Sequence, residues 1–212
     1  MLPVDVDVRL VDLAAGDDDV ARAESSLTPA ELARARRGTA PVHRRRVLLR
    51  AALREALGAE LRMDPRAVPL ATTTAGRPYV AAEGTSVDVS CSASGALGLV
   101  AVGRSCRIGI DVEHVAPWSP DVLDEGWLSG GERLALTRLP HEDRPVAVTR
   151  SWTQKEAVLK ARGTGLTDDP AATVTDVGRA TGVVAGWHVQ EVPVPRPWIA
   201  SLAVGPRKEI SA

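Results

Sequence analysis

Asp111 and Glu113 stand two residues apart in RIGIDVE, Arg107 to Glu113. A strand turns residues i and i+2 to the same face, so both carboxylates project together while Ile110 and Val112 face a core. Acids that close repel, and one pKa rises unless a cation or donors compensate. A third acid, Glu156, lies in SWTQKEAVLKARGTGL, Ser151 to Leu166, between Trp152 and Lys160 at helical spacing and among apolar neighbours. The bland alternatives are the wet face of an edge strand for the first pair and a surface Glu–Lys i,i+4 pair for the second. A buried Glu156, by contrast, must be ionised and paired, bound to a metal or protonated. With the helix packed beside the strand, the three acids would form a site suited to Mg²⁺, which takes few carboxylates plus water and phosphate oxygens.

The second candidate cluster is basic: His43-Arg44-Arg45-Arg46, then Arg50 and Arg54. Arg46, Arg50 and Arg54 recur every four residues and share one helix stripe. Like charges at that spacing are mildly destabilising unless an anion sits among them. Such a stripe is either a solvated face or a phosphate-binding one, since the guanidinium fork matches phosphate oxygens.

The elements that must position these groups are legible in part. Val4 to Leu10 alternates as a half-buried strand, followed by a polar loop with Asp17, Asp18 and Asp19. Thr28-Pro29-Ala30-Glu31 combines a capping box with an early proline and starts a helix. A longer helix runs from about Pro41 to Leu57, stopped by Gly58. LGLVAV, Leu97 to Val102, and RIGIDVE read as a hairpin joined by Gly103 to Cys106. Ser119-Pro120 starts a short helix, and Ser129 to Glu132 another by its capping box. The helix of Glu156 runs from about Pro145 to Gly163. Strand-like runs follow at Thr173–Val177, Val183–Val192 and Trp198–Val204. The order predicts an α+β fold of two halves, each a helix on a small antiparallel sheet.

Composition narrows the function. The 212 residues, 44% hydrophobic and 25% charged with a formal net charge of −1, describe a globular chain with no global field to draw nucleic acid or anionic membrane. Five Trp, one Tyr and no Phe leave few stacking surfaces for single strands. No apolar run approaches a membrane span, the N-terminus has no secretory pattern, and Cys91 and Cys106 read as reduced thiols; a cytoplasmic protein is expected. No P-loop, dinucleotide fingerprint, HExxH or GxSxG elbow is present. A nucleic-acid module built on the arginine stripe is the remaining rival of another class.

GIDVE, followed some forty residues later by WTQKEAVLKARGTGL, resembles the signature of the 4′-phosphopantetheinyl transferases, of the two-lobed surfactin-synthetase-activating type. The arginine-rich helix, GRPY and VSCSASGALGLVAV upstream are similar to the same family. The resemblance implies two lobes related by a pseudo-twofold, here 1–108 and 109–212, with coenzyme A between them. It implies transfer of the phosphopantetheine arm of coenzyme A to a serine of an acyl, peptidyl or aryl carrier protein, in fatty acid, polyketide or nonribosomal peptide synthesis. Adenosine 3′,5′-bisphosphate is released, by a monomer without nucleic-acid or membrane partners.

Carried over by position, Asp111, Glu113 and Glu156 match the ligands of Mg²⁺, with Mn²⁺ as the other ion. Glu156 also matches the base, while Asp111 and Lys160 join it as catalytic. Arg46, Arg50, Arg77, Ser92, Lys155 and Lys160 fall where the family holds coenzyme A. Relatives carry histidine between the two serines where this chain has Ser92-Ala93-Ser94. That departure motivates the alternative of an impaired relative that binds coenzyme A or carrier without transfer. The loop 115–128, with Trp118 and Trp127, is either a carrier-docking surface or core.

Overall fold

The computed structural model describes residues 5–119, 123–163 and 169–206. It is an α+β fold of two antiparallel sheets, each covered by one long helix. The first sheet has the order β1-β5-β4, with β1 Val6–Asp12, β4 Val87–Ser94 and β5 Leu97–Arg104. Helices α1 (Asp17–Glu24), α2 (Pro29–Ala35) and α3 (Ala40–Leu61) precede a small ribbon, β2 (Leu70–Thr72) with β3 (Pro78–Val80). The second sheet has the order β6-β9-β8-β7: β6 Cys106–His114, β7 Thr181–Val184, β8 Trp187–Val192 and β9 Trp198–Pro206. Helices α4 (Gly130–Thr137) and α5 (Arg144–Arg162) lie between β6 and β7 in sequence.

Three apolar contacts hold the layers. Leu48, Leu53 and Leu57 of α3 pack on Val89, Val100 and Val102 of the first sheet. Ala157, Val158 and Ala161 of α5 pack on Val184, Val189 and Ala203 of the second. Between the sheets, Leu97, Leu99 and Ala101 meet Ile108, Ile110, Val112, Ala200 and Leu202.

The hairpin expected between β5 and β6 does not form. Strand β5 is hydrogen-bonded along both edges, to β1 and to β4, so it has no edge left for β6. The chain instead crosses to the second sheet at Ser105, whose φ of 55° makes the sharp turn. There β6 pairs with β9, Asp111 opposite Ser201. The other edge of β6 faces β4, and side chains do the work of a ladder. Asp88 accepts from Ile108 N at 2.9 Å, Ser90 from Ile110 N at 3.1 Å and Ser94 from His114 N at 3.1 Å. The period-two polar residues of VDVSCSAS thus satisfy backbone donors at the seam between the sheets.

Other expectations need correction. Asp17 to Asp19 open a helix rather than a loop, which their charge favours at a helix N-terminus. Helix α3 runs through Gly58 to Leu61 and ends on Arg62 in the left-handed region; a Cβ on Gly58 would meet the Met63 carbonyl oxygen at 2.9 Å, so that glycine serves close approach, not termination. Thr173 to Val177 is not a strand, because Glu132 takes the Thr175 amide. The helix expected from Ser119-Pro120 begins outside the described residues. Both capping boxes, at Thr28 and Ser129, and the Gly163 stop form as expected.

Candidate functional site

The site is assembled where α5 crosses β6. Gly109 makes the crossing possible, since a Cβ there would stand 1.9 Å from the Ala157 carbonyl oxygen and 2.5 Å from Ala161 N. With the two backbones that close, Asp111 on the strand reaches Lys160 on the helix, Oδ1 to Nζ at 2.5 Å. Ser92 of β4 completes the group, donating to Asp111 Oδ1 at 2.7 Å and accepting from Lys160 Nζ at 3.0 Å. One strand turn on, Ser94 donates to Glu113 Oε2 at 2.8 Å. Ser92 was expected at the site; Ser94 was not, although its period-two relation to Ser92 was there to be read.

Burial, and then repulsion from Asp111 and Glu113, raises the Glu156 pKa above the usual carboxylate range, against the pull of Lys160. Burial and Asp111 likewise push Glu113 up, against the Ser94 hydrogen bond, Lys160 and Arg45. Burial works against the Lys160 charge, but Asp111, joined by Glu156, raises that lysine above its ordinary value. Three acids therefore act on one another around one lysine.

Among the described residues, no three Asp, Glu, His or Cys side chains stand as a ready metal cage. Two carboxylate oxygens in the cluster, Asp111 Oδ2 and Glu156 Oε1, are nonetheless buried without a hydrogen-bond partner. Buried acceptors in that state call for a cation or a proton. An all-oxygen donor set fits a hard divalent ion that completes its shell with water and substrate oxygens.

The arginine stripe is divided between structure and surface. Its missing anion is Glu31, the capping-box residue of α2, which takes Arg50 Nε at 2.5 Å and Arg54 Nε at 2.7 Å. Those bonds and the Thr28 amide outweigh burial and hold the Glu31 pKa down to about 2. Arg54 is buried and also donates to the carbonyls of Pro65 and Val68, so it is a structural residue. Arg45, Arg46 and Arg50 line a cavity of about 470 Å³ with Glu31, Arg34, Thr72, Gly76 and Cys91. Burial raises the Cys91 thiol above its ordinary pKa, so it is no ready nucleophile.

Two further expectations part here. Arg77 sits away from the cavity wall, its Nη2 on Asp88 at 2.8 Å and on the Ile108 carbonyl at 3.0 Å. Its Nε and Nη1 are buried and unpartnered, which is the chemistry of an anion contact. Lys155, expected to grip phosphate, is fully buried and makes three bonds: Glu132 Oε2 at 2.9 Å, the Pro170 carbonyl at 2.9 Å and the Thr173 carbonyl at 2.8 Å. An ammonium has three donors, so none remains for a ligand. Glu132 in turn takes the Thr175 amide and hydroxyl and the Ser129 amide. Trp127 is buried and belongs to the core, packing with Trp118 and Trp152, which are half-buried.

Residues 107–193 match the 4′-phosphopantetheinyl transferase superfamily. The chain is 36% identical to the 4′-phosphopantetheinyl transferase HetI of Nostoc sp. over 148 residues, 67% of this chain and 62% of that protein. It is 31% identical over 147 residues, 68% of this chain and 59% of the relative, to slr0495 of Synechocystis sp., whose name carries the same activity as a provisional assignment. The chain thus spans less than two thirds of either relative. No helix among the described residues is long and apolar enough to cross a membrane. The three carboxylates and both lysines of α5 all lie within the residues that match the 4′-phosphopantetheinyl transferase superfamily.

Proposed function

We propose that this protein transfers the 4′-phosphopantetheine arm of coenzyme A to a serine hydroxyl of an acyl, peptidyl or aryl carrier protein. The observation that carries this reading is the meeting of Asp111 and Lys160 at 2.5 Å beside Glu156, next to an arginine-lined cavity of nucleotide size. The proposed lobes are 1–108, with the arginines, and 109–212, with the acids. The similarity to HetI supports the reading.

Asp111, Glu113 and Glu156 would hold Mg²⁺, which when bound supplies positive charge to the diphosphate of the substrate. Lys160 remains protonated and offers its third donor to a phosphate oxygen. Glu156, whose raised pKa suits a base, accepts the proton of the carrier serine. The serine oxygen then bonds to the phosphorus bearing the pantetheine, and the bond from that phosphorus to the bridging oxygen breaks. Adenosine 3′,5′-bisphosphate leaves with the electron pair. Arg46 and Arg50 in the cavity, and Arg77 through its unmet donors, hold the nucleotide phosphates. Incubation with apo carrier protein, coenzyme A and Mg²⁺ tests the reading. Release of adenosine 3′,5′-bisphosphate equal to the carrier modified supports it; coenzyme A that binds and stays intact would point to the impaired relative.

A further inference from the structure

Strand β4 presents a row of hydroxyls to β6, and the row is used in two ways. Ser90 Oγ accepts from Ile110 N at 3.1 Å and donates to no carboxylate among the described residues. Ser92 and Ser94 each accept one N–H and give their own proton to a carboxylate oxygen. At Ser92 the incoming donor is Lys160 Nζ and the acceptor Asp111 Oδ1. At Ser94 they are the His114 amide, at 3.1 Å, and Glu113 Oε2, at 2.8 Å. The direction at Ser94 is fixed, because an amide only donates and the single serine proton is left for Glu113. Glu113 is thus gripped by one oxygen and keeps Oε1 free of other bonds among the described residues, just as Asp111 is gripped by Oδ1 and keeps Oδ2.

The grip on Glu113 comes from the other sheet. Ser94 is the last residue of β4, where the chain turns over Gly95 at a φ of 57°. Trp198 of β9 steadies that end. Its indole N–H donates to the Ser94 carbonyl at 3.0 Å, and its ring lies 3.9 Å from where a Cβ on Gly95 would stand. The ring also packs edge-on against His114, whose amide holds Ser94 Oγ. Backbone and side chain of Ser94 are therefore both fixed from the second sheet, and its proton is directed at an acid of that sheet.

We propose that Ser94 is a positioning residue for the divalent ion: it sets the Glu113 carboxylate in advance, so that the second oxygen is ready to meet the metal. This role rests on the Mg²⁺ reading above. A carboxylate held by an outer hydrogen bond binds an ion more tightly, because the torsions of its side chain are already ordered. One sheet then supplies the ligand and the other its orientation.

The test is titration with Mn²⁺, of protein alone and of protein with coenzyme A bound, read by the electron paramagnetic resonance of the free ion. Ser94 is half-buried at the end of its strand, so Ser94→Ala, Ser94→Thr and Ser94→Val should all fold. Ser94→Ala should raise the Kd for the ion about ten- to a hundredfold. The Thr and Val variants share a shape and differ in the hydroxyl. Ser94→Thr should therefore stay near wild type, and Ser94→Val should match Ser94→Ala. Ser90→Ala is the control for a loosened seam. It strips the Ile110 amide of its acceptor, as Ser94→Ala strips that of His114, and should leave the Kd unchanged. Equal Kd values for Ser94→Thr and Ser94→Val overturn the proposal, and so does an equal rise in Ser90→Ala, which would make the effect one of seam packing. Wild-type protein that binds no Mn²⁺ in either state would refute the metal reading itself.

Discussion

The backbone of Gly109 lies so close to Ala157 that a methyl group on the glycine would stand 1.9 Å from the helix carbonyl oxygen. The glycine of GIDVE therefore sets the distance between the strand carrying Asp111 and the helix carrying Lys160. Gly109→Ala should force the two apart, costing about 3 kcal/mol or more in urea unfolding and removing activity. Gly130→Ala, where a Cβ meets nothing within 4 Å, should stay within about 0.5 kcal/mol of wild type. Equal effects from the two would contradict the role given to Gly109.

Lys155→Met leaves Glu132 charged and buried without its partner, and should cost about 3–5 kcal/mol. Lys155→Met combined with Glu132→Gln should recover part of that loss, because the amide removes the buried charge and keeps an acceptor for the Thr175 amide and hydroxyl. Because Lys155 has no donor for a ligand, the Kd for coenzyme A should not change in whichever of these variants remains folded. A Kd raised tenfold in a stable variant would restore Lys155 to the phosphate site.

Asp111→Asn removes the charge opposite Lys160 and one of the oxygens proposed to meet the metal. Turnover should fall about 10²–10³-fold. Added Mg²⁺ should raise the unfolding midpoint of the wild type and leave that of the variant unmoved, since only ions bound to the folded state stabilise it. Scanning calorimetry with and without Mg²⁺ reads this separately from catalysis.

Glu31 gives a pH signature far from the acids of the site. Its folded pKa of about 2 lies below the ordinary 4.5, so its stabilisation is present above 4.5 and is lost as pH falls toward 2. The gap between wild type and Glu31→Gln should be on the order of 3 kcal/mol at neutral pH and close through that window. A gap constant from pH 7 to pH 2.5 would contradict the ion-pair account.

Local signals foretold local structure. The capping boxes at Thr28 and Ser129, the Gly163 stop and the strand-like runs that became β6 and β9 lie within a few residues of chain, where sequence pattern and geometry are directly linked. What failed was partner choice. Nothing in LGLVAV says that both its edges will be taken by β1 and β4, so the adjacent RIGIDVE looked like its hairpin mate. Charges were harder still. Lys155 and Lys160 are five residues apart on one helix, yet one lies against Glu132 and two carbonyls and the other against Asp111. Arg50 and Arg54 looked alike until Glu31, 19 residues from the first, was brought between them.

The central claim is that the acids on β6 and α5 serve a metal-dependent transfer to a carrier serine. Its most direct test is the intact mass of an apo acyl carrier protein after incubation with this protein, coenzyme A and Mg²⁺, with a parallel sample in excess chelator. The account predicts a gain of one phosphopantetheine arm on the carrier serine, abolished by chelator and restored by added Mg²⁺. A gain that persists in chelator would contradict the metal role of Asp111, Glu113 and Glu156. No gain on several carriers, from folded protein that binds coenzyme A, would contradict the transfer itself.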